Sequence, residues 1–92
     1  MADENIGIGQ IVKSIKGRDK GRFFIVIGEF DKDHLLIVDG DIRKIDKPKK
    51  KKIKHLVKLD IISKEVIDRI SNNNKITNAF IRKELEKLDV NA

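Results

Sequence analysis

The sequence contains no cysteine, tryptophan or tyrosine, and it has only one proline and one methionine among 92 residues. Without cysteine the chain can form neither a disulfide framework nor a thiolate metal site. This composition is compatible with a reducing compartment, and we expect a cytoplasmic protein. The only aromatic residues are four phenylalanines, which we expect in the core: Phe23, Phe24, Phe30 and Phe80. Base stacking is therefore not expected, and any nucleic acid would be read by shape and backbone.

Long apolar segments are also missing. The longest uninterrupted apolar run covers residues 23–27, whereas a membrane span needs about 20 residues. Residues 1–8 carry Asp3 and Glu4 and lack the basic start and apolar centre of a secretory signal. We expect a soluble protein that is not exported, with a flexible N-terminus over residues 1–8. A chain of this length is about one small domain and cannot hold both a large core and a deep catalytic cleft.

Groups that carry enzymatic or metal chemistry are sparse. The two histidines, His34 and His55, have no cysteine and no helical spacing to support a metal site. Acidic pairs such as Asp31 and Asp33 occur in turn sequences, where carboxylates cap backbone donors. No serine lies in a nucleophile-elbow sequence. We therefore expect no enzymatic activity, no cofactor and no metal.

Positive charge is concentrated in the middle of the chain. The net charge is −2 over residues 1–8, +7 over residues 9–60 and +1 over residues 61–92. Residues 43–58 contain nine lysines or arginines and the single acid Asp46. Self-repulsion on this scale, at a Debye length of roughly 8–10 Å, favours a polyanionic partner. The simpler alternative is a solvated loop that keeps the protein soluble.

The first two thirds of the chain have the pattern of short strands. Residues 9–15 predict a first strand, and residues 22–30, rich in Phe, Ile and Val, predict a second. Residues 34–38 predict a third strand. Asp39-Gly40 then indicates a two-residue hairpin loop into a further strand over residues 41–45.

The lysine-rich segment follows Pro48. Because proline biases its predecessor toward extended geometry, we expect the lysines to start in a loop and to lead into a last strand around residues 53–57. Five short strands joined by tight turns predict a mainly β protein with a small barrel.

The second predicted strand is apolar on both faces. In a single-layer sheet, one of these apolar faces would be exposed to solvent. Its two faces carry Phe23, Ile25 and Ile27 on one side and Phe24, Val26 and Phe30 on the other. The spare face needs a cover, and the C-terminal third of the chain can supply one.

Two helices are predicted after residue 61. Ser63 is the expected cap of the first, which ends at residues 72–74. The second covers residues 77–88, with Glu84, Glu86 and Lys87 on its outer face. The economical hypothesis is that both helices pack on the spare face of the second strand, although one of them could dock on another molecule instead.

Two basic clusters are candidate phosphate-binding sites. Lysines act on phosphate as point charges, and such contacts are blind to sequence. The main cluster follows the third strand and contains Arg43, Lys44, Lys47, Lys49, Lys50, Lys51, Lys52 and Lys54. The second lies around the first turn and contains Arg18, Lys20 and Arg22. It could reach the same phosphates, and a charged hairpin tip explains it equally well.

Residues 9–26, GQIVKSIKGRDKGRFFIV, resemble a KOW motif, the strand-loop-strand unit of several ribosomal proteins and transcription elongation factors. The central glycine of the motif matches Gly21. With the lysine-rich segment and His55-Leu56 included, residues 8–60 resemble the large-subunit ribosomal protein of the fourteen-e type and its short bacterial relatives.

This resemblance implies a five-stranded SH3-like barrel that binds structured RNA, above all ribosomal RNA, through the first-turn and lysine-rich clusters. It implies three regions: a flexible N-terminus (1–8), a KOW barrel (9–60) and a helical extension (61–92), which matches nothing in the family. The expected function is non-enzymatic RNA binding at the ribosome. The alternative is a KOW-type protein interaction module in a translation or transcription complex, with a protein partner on the helices.

Overall fold

Five antiparallel strands followed by two helices make up the described part of the chain, residues 6–90 of a computed structural model. The elements are β1 (Gln10–Ser14), β2 (Phe23–Asp31), β3 (His34–Val38), β4 (Lys49–Lys52), a 3-10 turn (Ile53–His55), β5 (Leu56–Ile62), α1 (Lys64–Ser71) and α2 (Asn78–Val90). The prediction of a mainly β fold with two C-terminal helices is confirmed. Because β5 runs to Ile62, the sheet extends past the expected boundary at residue 60.

The strands form one sheet in the order β4-β3-β2-β1-β5, and β4 and β5 are its edges. Irregular pairing interrupts β2 between Val26 and Gly28 and between Glu29 and Asp31, and such bulges bend and twist a strand. A flat five-stranded sheet would hold its edges about 19 Å apart. Residues 53–55 alone connect the two edge strands, and a link of this length spans at most about 14 Å. The sheet is therefore strongly curled.

Each face of the sheet carries its own apolar cluster, as the two-sided pattern of β2 predicts. The inner cluster consists of Val12, Phe24, Val26, Leu35, Ile37 and Leu56. The outer cluster joins sheet and helices and consists of Ile11, Ile25, Val38, Val66 and Ile81. Residue Ile6 is half-buried against the inner cluster, whereas residues 1–5 of the predicted flexible N-terminus lie outside the described residues.

Both helices begin at side chains that cap them. Ser63 Oγ accepts a hydrogen bond from Val66 N at 3.2 Å, which confirms the predicted cap of α1. Thr77 Oγ1 does the same for α2 by accepting from Phe80 N at 3.1 Å. Val66 and Ile81 are completely buried in the outer cluster, so the prediction that the helices cover the spare face of the sheet is confirmed.

The segment after β3 is a folded loop, and the strand predicted over residues 41–45 is wrong. Asp39 is buried, and its Oδ1 accepts hydrogen bonds from Asp41 N at 2.9 Å and Arg43 N at 2.8 Å. An aspartate that satisfies backbone donors two and four residues later competes with strand pairing. Ile45 N donates to the side chain of Asn78 at 2.8 Å. The loop is thereby attached to the start of α2.

The lysine-rich segment itself forms a strand, in contrast to the predicted loop. Lys49–Lys52 is β4, and the strand expected around residues 53–57 is replaced by the 3-10 turn and the start of β5. Lysine has a low intrinsic preference for strands. Pairing with residues 34–37 of β3 overrides this preference. The ladder satisfies the backbone, and half of the lysine side chains stay outside.

Glu84 faces the interior, which corrects its predicted outward position on α2. Its residue surface is 9% exposed, its Oε1 accepts a hydrogen bond from Ser63 Oγ at 2.7 Å and its Oε2 lies 2.8 Å from Lys87 Nζ. Burial alone would raise the pKa of Glu84, but the hydrogen bonds from Lys87 and Ser63 outweigh it, and the pKa lies below the ordinary value of 4.5. The charged carboxylate thus links α2 to the cap of α1.

We expect Glu84→Gln to destabilise the protein at neutral pH by about 1–3 kcal/mol, because a charge-assisted buried network is lost. A carboxylate with a depressed folded pKa contributes stability above its unfolded value and loses it as the pH falls through the folded value. The difference between wild type and E84Q should therefore shrink below about pH 4.5. Thermal unfolding between pH 7 and pH 3 measures it. The exposed neighbour Glu86 provides the control, since E86Q should change stability little at any pH.

Candidate nucleic-acid interface

The lysines of β4 alternate between the two faces of the sheet. In its register with β3, Lys50 lies opposite Leu36 and Lys52 opposite His34, while Lys49 and Lys51 lie opposite Ile37 and Leu35. Directly paired residues of an antiparallel ladder point to the same face. Ile37 and Leu35 belong to the inner cluster, so two lysines are directed inward and two outward.

Lys51 is one of the inward lysines and is only 8% exposed. Its Nζ donates to the backbone carbonyl of Lys16 at 2.7 Å. This contact joins β4 to the segment after β1, where the first-turn cluster begins. Lys51 therefore holds the fold together, and its ammonium does not lie on the outer surface where the sequence prediction had placed it.

Arg43 makes a second link between the two basic clusters. Its guanidinium contacts both carboxylate oxygens of Asp19, with Nη2 at 3.1 Å from Oδ2. Asp19 is 3% exposed, which makes this a two-oxygen ion pair with a buried acid. The first turn, residues 16–21, is thus fixed against the loop that precedes β4. The sequence offers no signal for this pair, since its members lie 24 positions apart.

Gly21 closes the first turn. Its φ of +89° lies in the left-handed region that favours glycine, and its N donates to Ser14 O at 2.8 Å. Arg22 follows and forms ion pairs with Asp39 at 3.4 Å and Asp41 at 3.6 Å. Arg22 is therefore neutralised in part by the loop after β3.

The remaining predicted ligands are accessible. Lys49 is half-buried. The other predicted ligands of this group are exposed, namely Arg18, Lys20, Lys44, Lys47, Lys50, Lys52 and Lys54. Lys44, Lys47 and Lys50 line one shallow depression, in which Asp41 and Asp46 also lie. The structure thus brings both clusters to one region, with Arg43 and Lys51 as the connections between them.

A cleft of about 770 Å³ opens at the end of the sheet, between the turn after β2 and the turn after β4. Three lysines line it, Lys32, Lys52 and Lys54, together with a single acid, Asp33, and with His34. This cleft carries an excess of positive charge. Lys32 was not among the predicted ligands, because in the sequence it stands alone between two aspartates.

The pKa of His55 reports the electrostatics of the same end of the sheet. It lies below the ordinary value of 6.5, first because of burial and then because of the positive charges of Lys16, Lys51, Lys52 and Lys54. The four lysine charges near this imidazole also attract anions. The turn between β4 and β5 is therefore suited to phosphate.

Two of the four phenylalanines, Phe23 and Phe30, differ from their prediction as core residues. Phe24 is fully buried, but Phe23 is 37% exposed and Phe30 is 56% exposed. A lysine lies over each exposed ring: Lys13 Nζ is 5.7 Å from the centroid of Phe23, and Lys50 Nζ is 4.4 Å from that of Phe30. Phe80 is half-buried under Arg69. Phe30 lies within the second irregularity of β2, between Glu29 and Asp31, so regular alternation does not hold at its position.

Two features are absent from residues 6–90. Neither helix of this range is long and apolar enough to cross a membrane. No group of three or more metal-ligating side chains is present in the same range.

Fold and site together define a small mainly β protein with a helical cover and a lysine-bearing edge strand. No family model matches the chain, so its resemblance to the KOW motif stays a prediction. The chain is 34% identical over 73 residues to a Bacillus subtilis (strain 168) protein named "Putative ribosome-binding protein YbzG". The alignment covers 79% of this chain and 99% of the relative. The chain therefore belongs to the same family as YbzG.

Proposed function

We propose that this protein is a non-enzymatic RNA-binding protein that associates with the ribosome and contacts large-subunit ribosomal RNA through its exposed lysines. The observation that carries the proposal is the strand β4, which holds Lys50 and Lys52 on one face of a paired sheet. The printed name of the relative, "Putative ribosome-binding protein YbzG", supports the choice of partner. A ribosomal partner would place the protein in the cytoplasm.

The sheet gives these lysines an advantage over a disordered basic tail. Lys50 and Lys52 are two residues apart on one strand, which spaces their backbones by about 6.7 Å. Their backbone entropy is already lost in the folded protein, so binding orders only the side chains. Lys54 and Lys32 extend the positive surface into the cleft. Such a surface suits a folded RNA backbone.

We further propose that the curled sheet is an SH3-like barrel of the KOW type. The three-residue connection between the edge strands supports it. So do two hydrogen bonds at this connection: Ile53 N donates to Asp33 O at 2.9 Å, and Ile15 N donates to His55 O at 2.9 Å. The left-handed Gly21 fits the central glycine of the motif.

The packing of the helices favours this proposal over the alternative, a protein interaction module that uses the helices. In that alternative the apolar stripe of the helices would carry the contact. Val66 and Ile81 of that stripe are fully buried against the sheet, and Leu85 and Leu88 pack on the same cluster.

Sedimentation with purified large ribosomal subunits of Bacillus subtilis tests the proposed function. We expect the protein to sediment with the large subunit at moderate salt and to be released at high salt, because phosphate contacts weaken as counterions compete. A protein that stays at the top of the gradient at low salt contradicts the proposal. Release by protease treatment of the subunit but not by salt would favour a protein partner.

A further inference from the structure

Phe30 is an exposed aromatic residue near the end of β2, in contact with Lys50 of the lysine-bearing strand β4. It is the most exposed large apolar residue of the described chain, at 56%. It makes no contribution to either buried cluster. A phenylalanine left in water contributes little to folding, so its position calls for a role outside the core.

Neighbouring side chains hold the Phe30 ring in a defined orientation. The ring of His34 meets it edge to face, with centroids 6.4 Å apart and an angle of 83° between the planes. His34 is itself fixed, because its Nδ1 lies 2.8 Å from Asp31 Oδ1. The hydrogen bond from His34 keeps the pKa of Asp31 below its ordinary value, so the carboxylate stays charged. An oriented ring loses little entropy when a flat ligand stacks on it.

Cations lie near this ring, together with the charged carboxylate of Asp31. The ammonium of Lys50 lies over the ring, 4.4 Å from its centroid. Beyond His34, the cleft adds Lys32, Lys52 and Lys54. A flat ligand on Phe30 would thus have the ammonium of Lys50 beside it and the cations of the cleft on the far side of His34.

We propose that Phe30 is a stacking platform for one unpaired base, so that the preferred ligand is RNA with an exposed nucleotide rather than a continuous duplex. The base stacks on the ring, and Lys50 moves from the ring to the adjacent phosphate. Aromatic stacking of unpaired bases is sequence-tolerant and adds to backbone contacts. This inference rests on the proposed RNA-binding function and specifies the class of RNA.

Two probe RNAs of equal length test the inference: a hairpin with an unpaired adenine loop and a fully paired duplex. Wild type should prefer the hairpin. Phe30→Leu should weaken hairpin binding by about 5- to 150-fold and leave duplex binding and its salt exponent unchanged. Phe30→Trp should keep the preference. A 2-aminopurine in the loop should lose fluorescence on binding wild type but not on binding F30L.

The other exposed phenylalanine supplies a matched control. Phe23 also has a lysine over its ring, yet it lies away from the cleft, so F23L should retain the preference for the hairpin. Melting curves establish that both leucine variants are folded. If wild type and F30L bind both RNAs equally and with the same salt dependence, the stacking role is wrong while the proposed function stands. If wild type binds neither RNA, both the stacking role and the proposed RNA-binding function are wrong.

Discussion

Replacing Lys50, Lys52 and Lys54 together with alanine is expected to lower the salt exponent of RNA binding by about 2 and the affinity at about 0.1 M salt by roughly 100-fold. Each lysine that neutralises a phosphate releases about 0.7–0.9 of a counterion, and the three contributions add. All three side chains are exposed, so the substitutions remove charge without opening the core. Titrations of RNA binding between about 0.05 and 0.3 M salt measure both quantities.

A variant with the same loss of charge elsewhere is the control for this experiment. Lys64, Lys75 and Lys83 are exposed on and between the helices. The triple alanine variant at these positions should keep nearly the full salt exponent, because long-range effects are screened beyond about 10 Å. If both triple variants reduce the exponent equally, net charge alone explains binding and the β4 surface has no special role.

A substitution at Lys51 tests whether this lysine is structural, in contrast to the lysines proposed to bind phosphate. Lys51→Met removes the ammonium that donates to Lys16 O and keeps an unbranched side chain that is one atom shorter. We expect the salt exponent to stay unchanged and stability to fall by about 1 kcal/mol. A lower salt exponent in K51M would show that the buried ammonium turns outward when RNA binds.

Replacing Gly40 with alanine is expected to destabilise the fold by about 2–5 kcal/mol, which lowers the melting temperature by more than about 10 °C. The φ of Gly40 is +78°, and a left-handed residue with a side chain costs about 1–2 kcal/mol. A Cβ at this position would also meet the backbone carbonyl of Asn78 and lie 3.0 Å from Arg82 Cγ. The overpacking against Asn78 and Arg82 adds about 1–3 kcal/mol to the loss of stability.

Gly21 provides the control for the Gly40 substitution. Its φ is +89°, but a Cβ added there meets nothing within 4 Å. Gly21→Ala therefore carries the backbone cost alone, about 1–2 kcal/mol. The difference between G40A and G21A in thermal unfolding measures how closely the loop after β3 packs on α2. Equal effects of the two substitutions would show that the loop after β3 and α2 can move apart at no cost in stability.

The close packing at Gly40 also connects the helices to the candidate interface. Arg82 Nη1 donates to Gly40 O at 2.7 Å, and Asn78 Oδ1 accepts from Ile45 N at 2.8 Å. The loop that leads into β4 is thus attached to α2. Loss of this attachment in G40A should weaken RNA binding as well, because Lys44 and Lys47 lie on that loop.

Local patterns in the sequence were sufficient for the strands β1 to β3 and for both helices. The apolar and β-branched run around Phe24 and Val26 needs a sheet with two covered faces, and the helical spacing after Ser63 supplies the cover. These predictions succeed because hydrophobic period and capping chemistry act between residues that are close in sequence. The excess of positive charge, and with it the expectation of a polyanionic partner, follows from composition in the same way.

Tertiary contacts decided the features that define the candidate site. Residues 49–52 form a strand because β3 has an unpaired edge. Arg43 links two segments because it forms an ion pair with the buried Asp19. Glu84 turns inward because Ser63 and Lys87 satisfy its carboxylate. Each outcome depends on at least one partner that is distant in the chain, and no local pattern encodes this proximity.

Amino-acid composition and local spacing alone therefore determined a basic, mainly β protein with two helices packed on its sheet. The fold decided which of its cations face solvent, which ones hold the chain together, and that Phe30 lies exposed among them. The physical reason is that the charge of a lysine is a property of the residue. Its exposure depends on strand register, and register is set by pairing between distant segments.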